Sequence, residues 1–194
     1  MILWHGGRDL EYSFQKIIPS KSKRWEFGPG LYVTTHYETA RKYAKGGGSV
    51  YKVEFDLGTN IKDINVPIDI VSNFVNSYVI GKHKKPILED LHNNMKKRDT
   101  IGFVNAEVIL NLMINYDAVS SKNTVALNKF LVDLGADYVI GDRFGGRNET
   151  IFCLLNKEKI KKVKKTTSKE VSVHEYEFEI TEILEKNKTT KIKI

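Results

Sequence analysis

One cysteine, Cys153, stands among 194 residues, so an internal disulfide framework and a multi-thiolate zinc site are both excluded. The histidines His36, His83, His92 and His174 show no ligand spacing, and no metal is assigned. Long apolar runs are missing too. The longest uncharged stretch, around Val71–Gly81, carries Ser72, Asn73, Asn76 and Ser77 and is too short and polar to cross a bilayer. Met1-Ile-Leu-Trp-His leads straight into patterned sequence with no charged region and apolar core before a cleavage site, so a cytoplasmic protein without membrane contact is expected. Arginine is scarce, six against 25 lysines, and arginine is the better fork for bases and phosphates. Sequence-specific nucleic-acid readout is therefore not suggested. No internal repeat is present.

What remains is ordinary in amount and uneven in placement. Hydrophobic residues make up 41% and charged residues 28%, the usage of a folded chain, and the length suits one domain over 1–194 with one core. The net charge of +7 is concentrated. Lys157, Lys159, Lys161, Lys162, Lys164 and Lys165 crowd one stretch, Lys186, Lys188, Lys191 and Lys193 punctuate the tail, and smaller clusters sit at Lys82–Lys85 and Lys96–Arg98. Such runs suit either a solvated surface or a phosphate partner whose binding weakens with salt.

Periodicity gives α+β with strand-rich ends around a helical middle. Ile2–Trp4 reads as a strand running into His5-Gly6-Gly7, and residues 8–18 as a helix closed by Pro19. Leu31–Thr34 reads as a short strand after a glycine-rich turn, with Thr35 and Glu38 placed as a capping box for a helix over Tyr37–Lys45. Ser49–Leu57 alternates as a strand. Four helices are expected at Ile68–Ile80, Ile87–Lys97, Phe103–Tyr116 and Thr124–Leu134. Strands return at Tyr138–Ile140, Thr150–Leu155 and Val171–Ile180, with a flexible loop at Gly141–Asn148.

Three places could carry chemistry. His5 ends a strand beside two glycines, where an imidazole can exchange hydrogen bonds near neutral pH, although a lone histidine is as readily structural. Gly6, lacking Cβ, would let a flat ligand approach the backbone, and its N–H and C=O would suit an amide. Tyr32 leaves a tight turn, Tyr43 follows eleven residues later, and two such rings could sandwich a planar group or simply fill a core. Glu149 heads an apolar strand, where a carboxylate is costly unless paired or solvated in a cleft. Cys153 falls inside that strand and reads as a buried thiol.

Together, Leu3-Trp-His-Gly, Phe27-Gly-Pro-Gly-Leu-Tyr-Val and Asn148-Glu-Thr-Ile-Phe resemble, in order and context, the His–Tyr–Glu motifs of ADP-ribosyltransferases, nearest to the poly(ADP-ribose) polymerase and diphtheria-toxin groups. The likeness covers Ile2–Leu57 and Gly135–Val163. It leaves out the helical middle, about 63–134, which has the character of an insertion into a split-sheet core. The resemblance implies NAD⁺ as co-substrate and no metal. It gives His5 to the adenosine ribose, the Gly6 backbone to the nicotinamide carboxamide, Tyr32 and Tyr43 to the nicotinamide ring, and Glu149 to the oxocarbenium-like ribose.

Two departures narrow it. Ala40 stands where polymerase-like members place a carboxamide-binding serine. Arg147 stands where the arginine-modifying branch carries a second Glu or Gln, which disfavours that branch. Arg143 and Arg147 lie on the loop that by resemblance faces the acceptor, and suit an acidic or phosphate-bearing one or plain solvent. The expectation is a mono-ADP-ribosyltransferase acting on a protein or nucleic acid. A bacterial or phage toxin or effector, with an inhibitor or antitoxin partner, fits it. An NAD⁺ glycohydrolase and a catalytically quiet NAD⁺- or nucleic-acid-binding module are the alternatives.

Overall fold

The structure is a computed structural model and describes residues 1–7, 10, 26–119, 123–144 and 149–171. Apart from Leu10, the helix expected over 8–18 lies outside the described residues, as do the strand expected beyond Val171 and the lysines of the tail.

Strands β1 (Ile2–Gly7), β2 (Leu31–Thr34), β3 (Ser49–Phe55), β6 (Tyr138–Phe144), β7 (Glu149–Leu154) and β8 (Ile160–Thr166) form one sheet in the order β6–β7–β2–β1–β3–β8. Every pairing in it is antiparallel. The sheet has two well-laddered halves, β6–β7–β2 and β1–β3–β8, with six register pairs between β1 and β3 and four between β2 and β7. Between β1 and β2 there is one register pair, Trp4 with Thr34. Helix α1 (Tyr37–Tyr43) packs on one face of this junction, burying Tyr37 and Ala40 against Trp4 and Val50. The other face buries Leu3, Val33, Val53, Phe55, Phe152 and Leu154. Alternating side chains along β1 thus serve opposite faces, as the two-residue period of a strand requires.

The middle of the chain is helical as its spacing predicts, with altered boundaries. Helices α2 (Ile68–Tyr78), α3 (Gly81–Arg98), α4 (Ala106–Asn115) and α5 (Thr124–Asp133) are present. α3 begins six residues before the expected Ile87 and contains Pro86 in its second turn. A proline so near the start removes few intrahelical bonds. Phe103–Asn105 is strand β5, paired with β4 (Asn65–Pro67), and the helix starts only at Ala106, where the Asn105 side chain accepts from the Glu107 N–H. Two further corrections concern the ends. His36, not Thr35, is the N-cap of α1, and β6 runs on through Phe144 where a loop was expected.

β8 is an element that periodicity hid. Its more buried positions, Ile160, Val163 and Thr166, fall three residues apart, with exposed lysines between them, and a register irregularity at Glu54/Phe55 breaks its pairing with β3. The largest apolar cluster lies away from α1. It joins the four middle helices to Val139, Cys153 and Leu155 and so backs the β6–β7–β2 half.

Candidate functional site

Beyond the one register pair, Trp4 with Thr34, the ladder between β1 and β2 leaves an opening, and the hydrogen-bond alternation of antiparallel strands says which way each backbone points beside it. Met1 donates its ammonium to the Phe55 carbonyl at 2.8 Å and accepts from the Phe55 N–H at 2.9 Å. Residues 1 and 55 therefore form a hydrogen-bonded pair, and residues 3, 5 and 7 repeat it along β3. Residues 2, 4 and 6 turn their N–H and C=O the other way, toward β2. Trp4 meets Thr34 there. Gly6, two residues on, directs its N–H and C=O into the opening.

The same reasoning applies across the gap. Thr35 N–H donates to the Thr150 carbonyl, so residues 31 and 33 face β7 while Tyr32 turns its carbonyl toward β1. That carbonyl accepts from His5 Nδ1–H at 2.7 Å. A carbonyl can only accept, so Nδ1 carries the proton and Nε2 of the neutral ring is left as an acceptor. Burial holds the His5 imidazole below its ordinary value of 6.5, with the Tyr32 carbonyl opposing that shift.

Gly6 has a second role. A Cβ there would lie 1.7 Å from the Ala40 carbonyl oxygen of α1, so the missing side chain makes room for the helix. What Gly6 offers the opening is its backbone polarity.

Glu149 begins β7 and is only 5% exposed. Its Oε1 accepts from Thr34 Oγ1 at 2.7 Å and its Oε2 from Thr39 Oγ1 at 2.9 Å. Two hydroxyl donors thus compensate the burial of a carboxylate. One comes from the strand residue that pairs with Trp4, the other from α1. Thr34 Oγ1 also accepts from the His36 N–H, and Thr35 Oγ1 accepts from the Thr150 N–H, so the start of α1 is bound to the head of β7.

Tyr32 is anchored through its hydroxyl, which donates to the Gly28 carbonyl at 2.9 Å and accepts from the Phe27 N–H at 3.0 Å. Burial pushes this phenol above its ordinary range, with the neighbouring Cys153 adding to the effect. Its ring packs on Phe27, with centroids 6.1 Å apart. Tyr43, by contrast, stands 64% exposed on the last turn of α1. Along the β1–β2 junction the structure thus joins His5 to the Tyr32 carbonyl and, through Thr34, ties Glu149 to the strand residue opposite Trp4, while Tyr43 stands exposed on the helix that carries Thr39.

The lysine-rich strand does not join them. The Lys157–Lys165 run forms β8 and the turn before it, at the far edge of the sheet, with β3, β1 and β2 between it and β7. Arg143 lies on β6 in register with Thr150, next to Glu149, while Arg147 lies outside the described residues. Cys153 is a buried free thiol, as expected. Among the described residues no group of three or more His, Cys, Asp or Glu side chains is placed to hold a metal, and no helix is long and apolar enough to cross a membrane.

Sequence reasoning missed Thr34, Thr39 and Asn128. Asn128 on α5 donates from Nδ2 to the Pro29 carbonyl at 2.9 Å and the Leu155 carbonyl at 3.1 Å, holding the turn that anchors Tyr32. Thr34 lies two residues from the motif tyrosine, whereas Thr39 and Asn128 carry no signal in the sequence. No family model, curated protein or solved structure matches the chain.

Proposed function

We propose that the chain is an ADP-ribosyltransferase of the His–Tyr–Glu type, built on a split antiparallel sheet, which transfers ADP-ribose from NAD⁺ to a macromolecular acceptor. The observation that carries this reading is Glu149, a buried carboxylate fixed by two hydroxyls, one from the strand residue that pairs with β1 and one from the helix that covers Gly6.

Each group has a task that its surroundings suit. Gly6 presents a donor and an acceptor side by side, the complement of a carboxamide. His5, with Nδ1 engaged by Tyr32, keeps Nε2 to accept from a hydroxyl of the adenosine ribose. Tyr43 can cover the nicotinamide ring from the rim. Ala40 supplies no hydroxyl, so the carboxamide depends on Gly6 for its polar contacts.

As the N-glycosidic bond breaks, nicotinamide leaves with the bonding electron pair and positive charge builds on the ribose. The acceptor's nucleophilic atom then forms the new bond to the anomeric carbon and loses its proton. Glu149 stabilises that charge, which exists only at the transition state, so its effect falls on turnover more than on binding. Thr34 and Thr39 hold the carboxylate in place beforehand, sparing reorganisation during the reaction.

Incubation of the protein with labelled NAD⁺ and cell lysate, followed by nuclease or protease, tests both the activity and the acceptor class. Label on a macromolecule that disappears with Glu149→Gln is the expected result. Free ADP-ribose without labelled macromolecule would identify a glycohydrolase instead, and intact NAD⁺ a binding module. Growth arrest on expression, relieved by the same substitution, is the outcome expected of a toxin.

A further inference from the structure

Residues 63–134 carry eight basic and eight acidic side chains and are neutral as a whole, yet the charge is segregated. α3 alone holds Lys82, Lys84, Lys85, Lys96, Lys97 and Arg98 against Glu89 and Asp90. Only Ile87 and Leu91 of its 18 residues are buried, so most of a helix about 27 Å long faces outward. Between α3 and α2 runs an open groove of about 790 Å³, lined by Asn76, Lys84, Lys85, Glu89, His92 and Lys96 among others.

Little among the described residues answers this charge. Lys85 meets Glu89 at 3.8 Å with its side chain 87% exposed, a pair of small consequence, and Lys84 donates to the Asn76 carbonyl. The other lysine-rich element, β8, is different. Lys161 pairs with Asp56 at 2.8 Å, Lys164 with Glu170 at 3.3 Å, and Lys162 lies opposite Glu54 in register. Two lysines of β8 thus meet carboxylates, whereas among the described residues Lys82, Lys96, Lys97 and Arg98 of α3 meet none.

From this contrast we infer that α3 and its groove bind the phosphate backbone of a nucleic acid without reading its bases. Lys84 and Lys96 are twelve residues apart, about 18 Å along the helix, comparable to about five steps of a duplex strand at ~3.4 Å each. Lysine binds phosphate as a point charge, whereas base readout favours the arginine fork, and Arg98 is the helix's one arginine. A protein partner would call for an apolar or aromatic centre, since protein interfaces are depleted in lysine. Leu88 is the one apolar side chain and His92 the one ring lining this groove, and the other six are charged or amide. The inference goes beyond NAD⁺ chemistry and does not depend on it.

Fluorescence anisotropy of a labelled DNA duplex and a labelled single-stranded RNA against the full chain, across a salt series, tests it. Binding to at least one probe is expected, with log affinity falling against log salt at a slope of about −2 to −3 for three engaged phosphates. The double substitution K85E/K96E should weaken binding about tenfold or more and make the slope shallower by about 2. K161E/K162E on β8 should leave affinity within about twofold if its charges are already answered. The inference fails if neither probe binds in a salt-dependent way, or if the β8 reversal is as damaging as the α3 reversal. It also fails if polyglutamate of equal charge competes as well as nucleic acid, which would mark a site for acidic proteins. None of these failures touches the Glu149 reading, which NAD⁺ cleavage tests separately.

Discussion

β7 and β8 follow one another in the chain, and a charge means something different in each. All six residues of β7 are buried, since it lies between β6 and β2 with apolar groups against both faces. A carboxylate at its head needs donors, and Thr34 and Thr39 provide them. β8 is an edge strand whose lysines at 161, 162, 164 and 165 face water. Lysine there is inexpensive, because its ammonium stays in water. One acid in a covered strand therefore says more about chemistry than four lysines on an edge, although the lysines dominate the composition.

The contrast sets the scale of expected effects. Glu149→Gln keeps the shape of the side chain but removes its charge, and NAD⁺ turnover should fall on the order of 10²–10³-fold in a steady-state assay. Unchanged turnover would remove Glu149 from the chemistry and, with it, the contrast.

Gly6→Ala drives a methyl group into the Ala40 carbonyl and should cost about 1–3 kcal/mol or more, read as a lower denaturation midpoint. A full-stability variant would mean that α1 is not seated on β1 as described.

Thr39→Val retains shape while removing one of the two donors to Glu149, at an expected cost of about 1–3 kcal/mol. Thr39→Ser should restore most of it. If serine restores nothing, packing and not the hydroxyl is what matters at 39.

His5 gives a smaller, pH-dependent effect. Its folded-state pKa is lowered by burial, so between that value and 6.5 the unfolded chain binds a proton that the folded chain does not. Stability should be fullest above 6.5 and decline as pH falls through the lowered value. His5→Gln should flatten that part of the melting-temperature profile, and an unaltered slope would place the proton uptake elsewhere.

Smallest of all, Lys162→Ala or Lys165→Ala should shift stability by less than about 0.5 kcal/mol.

The sequence made part of this legible, and the rest was hidden for identifiable reasons. Helices in the middle declare themselves because one face is apolar at three- and four-residue spacing, and Val71, Phe74 and Val75, or Ile109, Leu110 and Met113, are indeed buried. His5, Gly6, Tyr32 and Glu149 were marked by their glycine and strand contexts, and the fold places them on β1, β2 and β7 of one sheet. Thr39 had no such marker, because its partner Glu149 is 110 positions away and a single hydroxyl leaves no periodic trace. Asn128 is similar, reaching Pro29 over 99 positions. β8 escaped because its lysines mask a half-buried strand. The two roles of Gly6 could not be separated in sequence, since a residue without Cβ serves a neighbouring helix and a ligand equally well.

The helical middle has the look of baggage in the sequence, something added to a working core and open to trimming. The Phe27–Gly30 turn argues otherwise. Gly28 sits at φ +121° with Leu110 of α4 beneath it, and Asn128 of α5 holds the next carbonyl. A shortened chain joining residue 57 to 135 would strip these supports and leave the Pro29 and Leu155 carbonyls without the amide that satisfies them. It would also lay bare the apolar backs of β6, β7 and β2, inviting aggregation before any ligand could bind. The inner surface of these helices can therefore change only in step with the turn it supports.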